Sequence, residues 1–235
     1  MPRVVKEEEY AVKRNEILDA ALKLIYTKGY EQMSIQDILD ELKISKGAFY
    51  HYFDSKPALL DDLMDRMMDD AEQVLQPIVN AKDLPAVEKL QRYFAAGSRW
   101  KIDRKSFMLD LMRVWYTDSN ALVRQKQGTA AIQRIGPMLA EIVRQGIAEG
   151  VFTTAYPDQI GNMIWGLAQG IQDSMAELLL ADDPPLDALQ RLEAIIGAYS
   201  DTIERILGAP AGSLPLADIA MLKEWLVAPA EKMKA

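Results

Sequence analysis

The chain is 235 residues long and 49% apolar, with 27 Lys/Arg against 35 Asp/Glu for a net charge of −8, one histidine and no cysteine. This composition excludes disulfides, thiol catalysis, the usual nitrogen/sulfur zinc sites and a conventional nucleophile–histidine triad. The length allows one small and one larger domain. No apolar run approaches a membrane span, and the charged start MPRVVKEEEYAVKR lacks the apolar stretch of a secretory leader, so a cytoplasmic protein with no membrane partner is expected.

Helical periodicity runs through most of the chain. Ile17, Ala20, Ala21, Leu24 and Ile25 share one face of a first helix expected over 10–28. Gly29 is placed to end it as a left-handed C′ residue, with Tyr30 packing back. Ser34 and Asp37 have the spacing of a capping box, Met33 and Ile38 that of a hydrophobic staple, and Ile35, Ile38, Leu39 and Leu42 then form one apolar face. Ser45 caps another short helix in which Phe49 and Phe53 turn inward together. That leaves Lys46, Gly47, Ala48, Tyr50, His51 and Tyr52 on the outside. A core helix would not expose a basic residue, a glycine and three hydrogen-bonding rings; a helix lying in a DNA groove would.

A fourth helix is expected from Lys56, with Pro57 tolerated in its first turn and Pro77 ending it. Further helical segments follow near 84–101, 104–116, 119–149, 157–181 and 185–207. No segment alternates like a strand, so the chain reads as all-α. GAPAGSLP (208–215) reads as a linker, and 215–227 as a short amphipathic helix carrying Leu216, Ile219, Leu222 and Leu226. Residues 1–56 hold nine Lys/Arg against ten Asp/Glu, yet residues 43–56 hold Lys43, Lys46 and Lys56 against Asp54 alone. Positive charge is thus local to one short stretch of an acidic chain, which disfavours a nonspecific nucleic-acid binder but not a site-specific one.

SKGAFYHYFDSKPALL (45–60) closely resembles the recognition-helix signature of the TetR family of bacterial one-component transcriptional regulators, and the likeness continues upstream through ILDAALKLIYTKGYEQMSIQDI (17–38). The resemblance implies a helix-turn-helix three-helix DNA-binding domain over 1–56, an effector-binding and dimerisation helical domain over 57–207, and a linker with a short C-terminal helix over 208–235. It implies a homodimer on a palindromic double-stranded DNA operator, most often a repressor, released by a small molecule. Tyr50, His51 and Lys56 match positions that hold the DNA backbone in the family, with Ser45 and Lys46 flanking the helix entry. Gly47 allows close approach to a phosphate or base edge, and the Ala48 methyl can meet a thymine methyl. Gln36 is placed to bond phosphate or adenine, and Ser34 and Tyr52 complete the candidate DNA contacts. The family commonly has glycine in the turn where this chain has Lys43.

Leu189, Leu192, Ile196, Tyr199 and Ile203 repeat at the 3, 4 spacing of a helix–helix seam, and Gly166 and Gly170 allow a neighbouring helix close. The resemblance makes these a dimer interface; the alternative is packing within one chain. Met68, Phe94, Trp100, Phe107, Met108, Met112, Trp115, Tyr116 and Trp165 fall on the helices that line the family's effector cavity, and favour an apolar or aromatic effector. Asp61, Asp65 and Asp69 share a helix face; a solvated surface is the expected role, and no metal, cofactor or catalytic residue is expected. Rival readings are a same-fold activator, a regulator answering a protein partner, and a helical enzyme with a vestigial helix-turn-helix. The last lacks any phosphate-cradling glycine motif.

Overall fold

The computed structural model describes residues 2–181 and 185–226. Among them all regular structure is helical: α1 (Pro2–Lys28), α2 (Ile35–Leu42), α3 (Lys46–Tyr50), α4 (Lys56–Asn80), α5 (Ala86–Ile102), α6 (Lys105–Trp115), a 3₁₀ turn (Asp118–Asn120), α7 (Ala121–Ala148), α8 (Pro157–Leu179), α9 (Ala188–Leu207) and α10 (Ile219–Leu226). Val227 and the remainder of the C-terminal segment lie outside the described residues.

Two boundaries differ from the sequence reading. α1 begins eight residues before the expected Tyr10, because Pro2 suits a first helical turn and Lys6 to Glu9 are good helix formers. The run KEEE (6–9) supplies no apolar position for periodicity to follow. α4 runs past Pro77 to Asn80. The helix runs only three residues past the hydrogen bond that the proline cannot donate.

The described residues form two compact units. The first holds the chain up to Met67 together with Leu109–Gln127; the second holds Met68–Met108 together with the chain from Gly128 on. The first unit thus takes in the first half of α4 as well as the helices before it. The first half of α4 belongs with the N-terminal helices because Arg14 pairs with Asp62 and Arg66 Nη1 lies 2.6 Å from Asp19. The 109–127 stretch joins them through Asp61, which Lys126 and Gln127 both bond.

In the first unit α1 packs on α2 and α2 on α3. The fully buried side chains Ile17, Leu18, Ile25, Met33, Ile38, Phe49, Leu59 and Leu60 make its core. In the second unit α7 and α8 cross where both backbones are bare: a Cβ on Gly136 would strike Asn162, and one on Gly161 would strike the Gly136 carbonyl. α8 packs on α9, with Gly170 making room for the Tyr199 ring.

The 208–218 segment is not a free linker. Glu204 is buried, and its carboxylate accepts from Gly212 N and Leu214 N, both at 2.8 Å. Ser200 Oγ accepts from Leu216 N at 3.2 Å, and Gln91 Nε2 donates to Ser213 O at 2.7 Å. Leu214, Leu216, Leu222 and Trp225 are buried, and α10 lies on α5 and α9. Arg99 grips Glu224 with two 2.8 Å hydrogen bonds.

Candidate nucleic-acid interface

The interface is built on two capped helices. Ser34 stands in extended backbone; its hydroxyl accepts from Asp37 N at 3.2 Å while Asp37 Oδ2 accepts from Ser34 N at 2.8 Å, closing the expected capping box. Lys28 Nζ lies 2.6 Å from the same carboxylate. Lys28 first, then the Ser34 backbone and hydroxyl, hold Asp37 down to about 2. The turn after α2 passes through Lys43 at φ 52° and ψ 43°. Ser45 then caps α3 by accepting from Ala48 N at 3.1 Å.

α3 is held from beneath. Phe49 and Phe53 are buried, their rings 5.8 Å apart, and the Arg14 guanidinium lies 5.3 Å over Phe53. With that side fixed, Ser45, Lys46, Gly47, Tyr50 and His51 are exposed and Ala48 and Tyr52 half-buried. Lys46 Nζ rests 5.9 Å above the Tyr50 ring. The exposed set offers an ammonium, a hydroxyl, a phenol and an imidazole on one short segment, all able to donate to phosphate oxygens.

Three of the expected contacts are engaged within the chain. The Ser34 hydroxyl serves its cap, donating to Asp37 Oδ2 at 2.8 Å, and Gln36 Nε2 donates to Asp40 at 2.7 Å. Lys56 is half-buried, with its ammonium 4.2 Å over the Tyr30 ring and donating to Glu31 O at 3.3 Å; burial pushes its pKa down.

One contributor was missed in the sequence. Tyr10 lies edge-on to His51, with ring centroids 5.6 Å apart at 80°, and 4.7 Å from the Tyr52 ring. Its position near the start of the expected helix, outside any apolar repeat, carries no local signal for this cluster.

Comparison with known proteins agrees with this geometry. A model of bacterial regulatory proteins of the tetR family matches residues 17–63, and a tetracyclin repressor-like C-terminal domain model matches residues 110–177. The chain belongs to the TetR family. It is 53% identical over 53 residues to the HTH-type transcriptional regulator YuxN of Bacillus subtilis, covering 23% of this chain and 18% of that one. It is 28% identical over 83 residues to the repressor DhaR of a Mycobacterium species, covering 35% and 42%. These matches thus span less than half the length of either relative. The repressor KstR2 of Mycobacterium tuberculosis is 25% identical over 143 residues, 60% of this chain and 69% of the relative. In fold, the chain resembles a TetR-family regulator from Pectobacterium atrosepticum with a TM-score of 0.62 at 20% identity, over 86% of this chain and 98% of that one.

The remaining candidate sites of this TetR-family chain divide between its units. Met68, Phe94, Trp100, Phe107, Met108 and Trp165 belong to the second, whereas Met112, Trp115 and Tyr116 belong to the first. On the expected dimer seam, Leu192 and Ile203 are fully buried and Ile196 is 7% exposed within a single chain. Their burial therefore needs no partner, which is the intrachain alternative. Leu189 and Tyr199 are half-buried, and Gly166 is exposed with open space where a Cβ would stand. Asp61 is bonded by Lys126 and Gln127, and Asp69 lies 2.5 Å from Arg134. No described helix is long and apolar enough to cross a membrane.

Proposed function

We propose that the protein is a sequence-specific DNA-binding transcriptional regulator, a homodimer that represses from a palindromic operator and releases it on binding a small apolar or aromatic effector. The observation that carries this reading is the exposed donor set of Lys46, Tyr50 and His51 on a helix anchored by Phe49 and Phe53. Such a helix enters a major groove, and its backbone donors set register while Gly47 and Ala48 approach base edges. That DhaR and KstR2 are named repressors supports the sign of regulation.

The face of α8 and α9 best suited to a second copy lies beside the seam read from sequence. Met163 and Gly166 on α8, with Ala194, Gly197 and Ala198 on α9, are exposed, and Cβ positions on Gly166 and Gly197 meet nothing. Small exposed residues on two adjacent helices permit close helix–helix packing. The effector would be held by the second-unit residues Met68, Phe94, Trp100, Phe107, Met108 and Trp165. It would act by favouring one of two spacings of the DNA-reading heads.

The test is selection of bound sequences from a random duplex pool at near-physiological salt. A two-fold palindrome with half-sites about 34–36 Å apart is expected. A well-folded protein that enriches no motif would overturn the reading.

A further inference from the structure

α5 carries two buried polar groups that no described residue bonds. Ala86, Leu90, Tyr93, Gly97 and Trp100 lie on one face at spacings of four and three, and both Tyr93 and Trp100 are more than nine-tenths buried, at 5% and 9% exposure. Among the described residues, neither Tyr93 OH nor Trp100 Nε1 has a hydrogen-bond partner; nor does the buried Trp165 Nε1 on α8, in the same unit. Buried donors in folded proteins are almost always bonded, because an orphan forfeits its hydration with nothing in return. Core packing alone would be served as well by phenylalanine.

Resting on the small-effector reading above, we infer that this site receives an apolar molecule bearing carbonyl- or ether-type oxygens, which accept from Tyr93 OH and Trp100 Nε1. The two residues stand seven apart on one helix, about 10.5 Å along its axis, so an elongated molecule meets both. The chemistry of the donors fits an uncharged acceptor. Burial first, and the Glu72 carboxylate second, push the Tyr93 phenol well above its ordinary range, so it stays a donor. That carboxylate also disfavours an anion beside it. Three cations of the unit are engaged: Arg134 lies 2.5 Å from Glu72, Lys89 Nζ donates to Val79 O at 2.8 Å, and Arg104 lies 4.6 Å over the Trp100 ring; burial pushes the ammonium of Lys101, the residue after Trp100, down to about 8.

The test is calorimetric binding, to the full chain without DNA, of phenyl alkyl ketones and the matching alkylbenzenes with two to eight side-chain carbons. The wild type is expected to hold at least one ketone about tenfold tighter than its hydrocarbon, a factor corresponding to ~1.4 kcal/mol. That preference should shrink severalfold in Tyr93→Phe or Trp100→Phe, while unliganded Tyr93→Phe melts no lower than the wild type. Equal affinities within every pair would overturn the inference and leave an apolar effector site standing. So would a ketone preference that survives both substitutions. A clear fall in the melting temperature of Tyr93→Phe would show that the hydroxyl already has a partner. Binding of neither series would remove the inference and the small-effector reading together, while leaving the operator selection independent.

Discussion

At Lys43 the backbone takes the left-handed conformation, and it is the one described non-glycine residue to do so. An L side chain there costs about 1–2 kcal/mol. Lys43→Gly is expected to raise stability by about 1 kcal/mol in urea denaturation, and Lys43→Ala to change it little. Asp37 carries a second residue-scale consequence. Its folded pKa is about 2 against an ordinary 3.8, so its contribution is complete above pH 3.8 and disappears as pH falls towards 2. Asp37→Asn should flatten the stability profile across that window; an unchanged profile would mean the cap does not hold in solution. Tyr10 acts through its neighbours by fixing the His51 and Tyr52 rings. Aromatic pairs of this kind contribute about 0.5–1.5 kcal/mol, so Tyr10→Ala should weaken operator binding by up to about tenfold while Tyr10→Phe retains it.

Among the elements, α2 and α3 were legible because their signals are local: a cap, a staple and an inward pair of phenylalanines all fall within a few residues. The extension of α1 was not, because the charged run Lys6 to Glu9 offers no apolar period. Nor was the packing of residues 208–218. Gly and Pro in GAPAGSLP mark a turn-rich path, but the strap is held by a carboxylate on α9 that composition does not point to. Glu204→Gln replaces one accepting oxygen with a donor facing a backbone N–H, and is expected to cost about 1.5–3 kcal/mol. Thermal unfolding of the variant measures this. At the α7–α8 crossing, Gly161→Ala forces a methyl into the Gly136 carbonyl, and is expected to lower stability by about 1–3 kcal/mol.

On the scale of the molecule, the net charge of −8 and the local lysines work together. An acidic body repels phosphate and confines contact to the helix-turn-helix, so operator affinity should fall steeply with salt. The proposed dimer depends on which face of α9 is free. Replacing Ile203, fully buried in one chain, by Asp should unfold the protein. Gly197→Glu, placed in open space, should leave helicity intact and dissociate the dimer in sedimentation; a dimer that persists would move the interface elsewhere.

Periodicity and caps were enough to determine an all-helical chain, and the SKGAFYHYF stretch to point to a DNA-reading end, because those signals lie between residues a turn or two apart. Only the tertiary structure decided which of them are available to a partner. The heptad-like stripe of α9 is read identically whether a neighbouring helix belongs to the same chain or to another, and Leu192, Ile196 and Ile203 are buried within one chain. Likewise Lys56 and Gln36 look like free DNA contacts until Tyr30, Glu31 and Asp40 are seen beside them. The orphan donors of Tyr93 and Trp100 are no more visible in the sequence, since a missing hydrogen bond is a property of everything packed around the group.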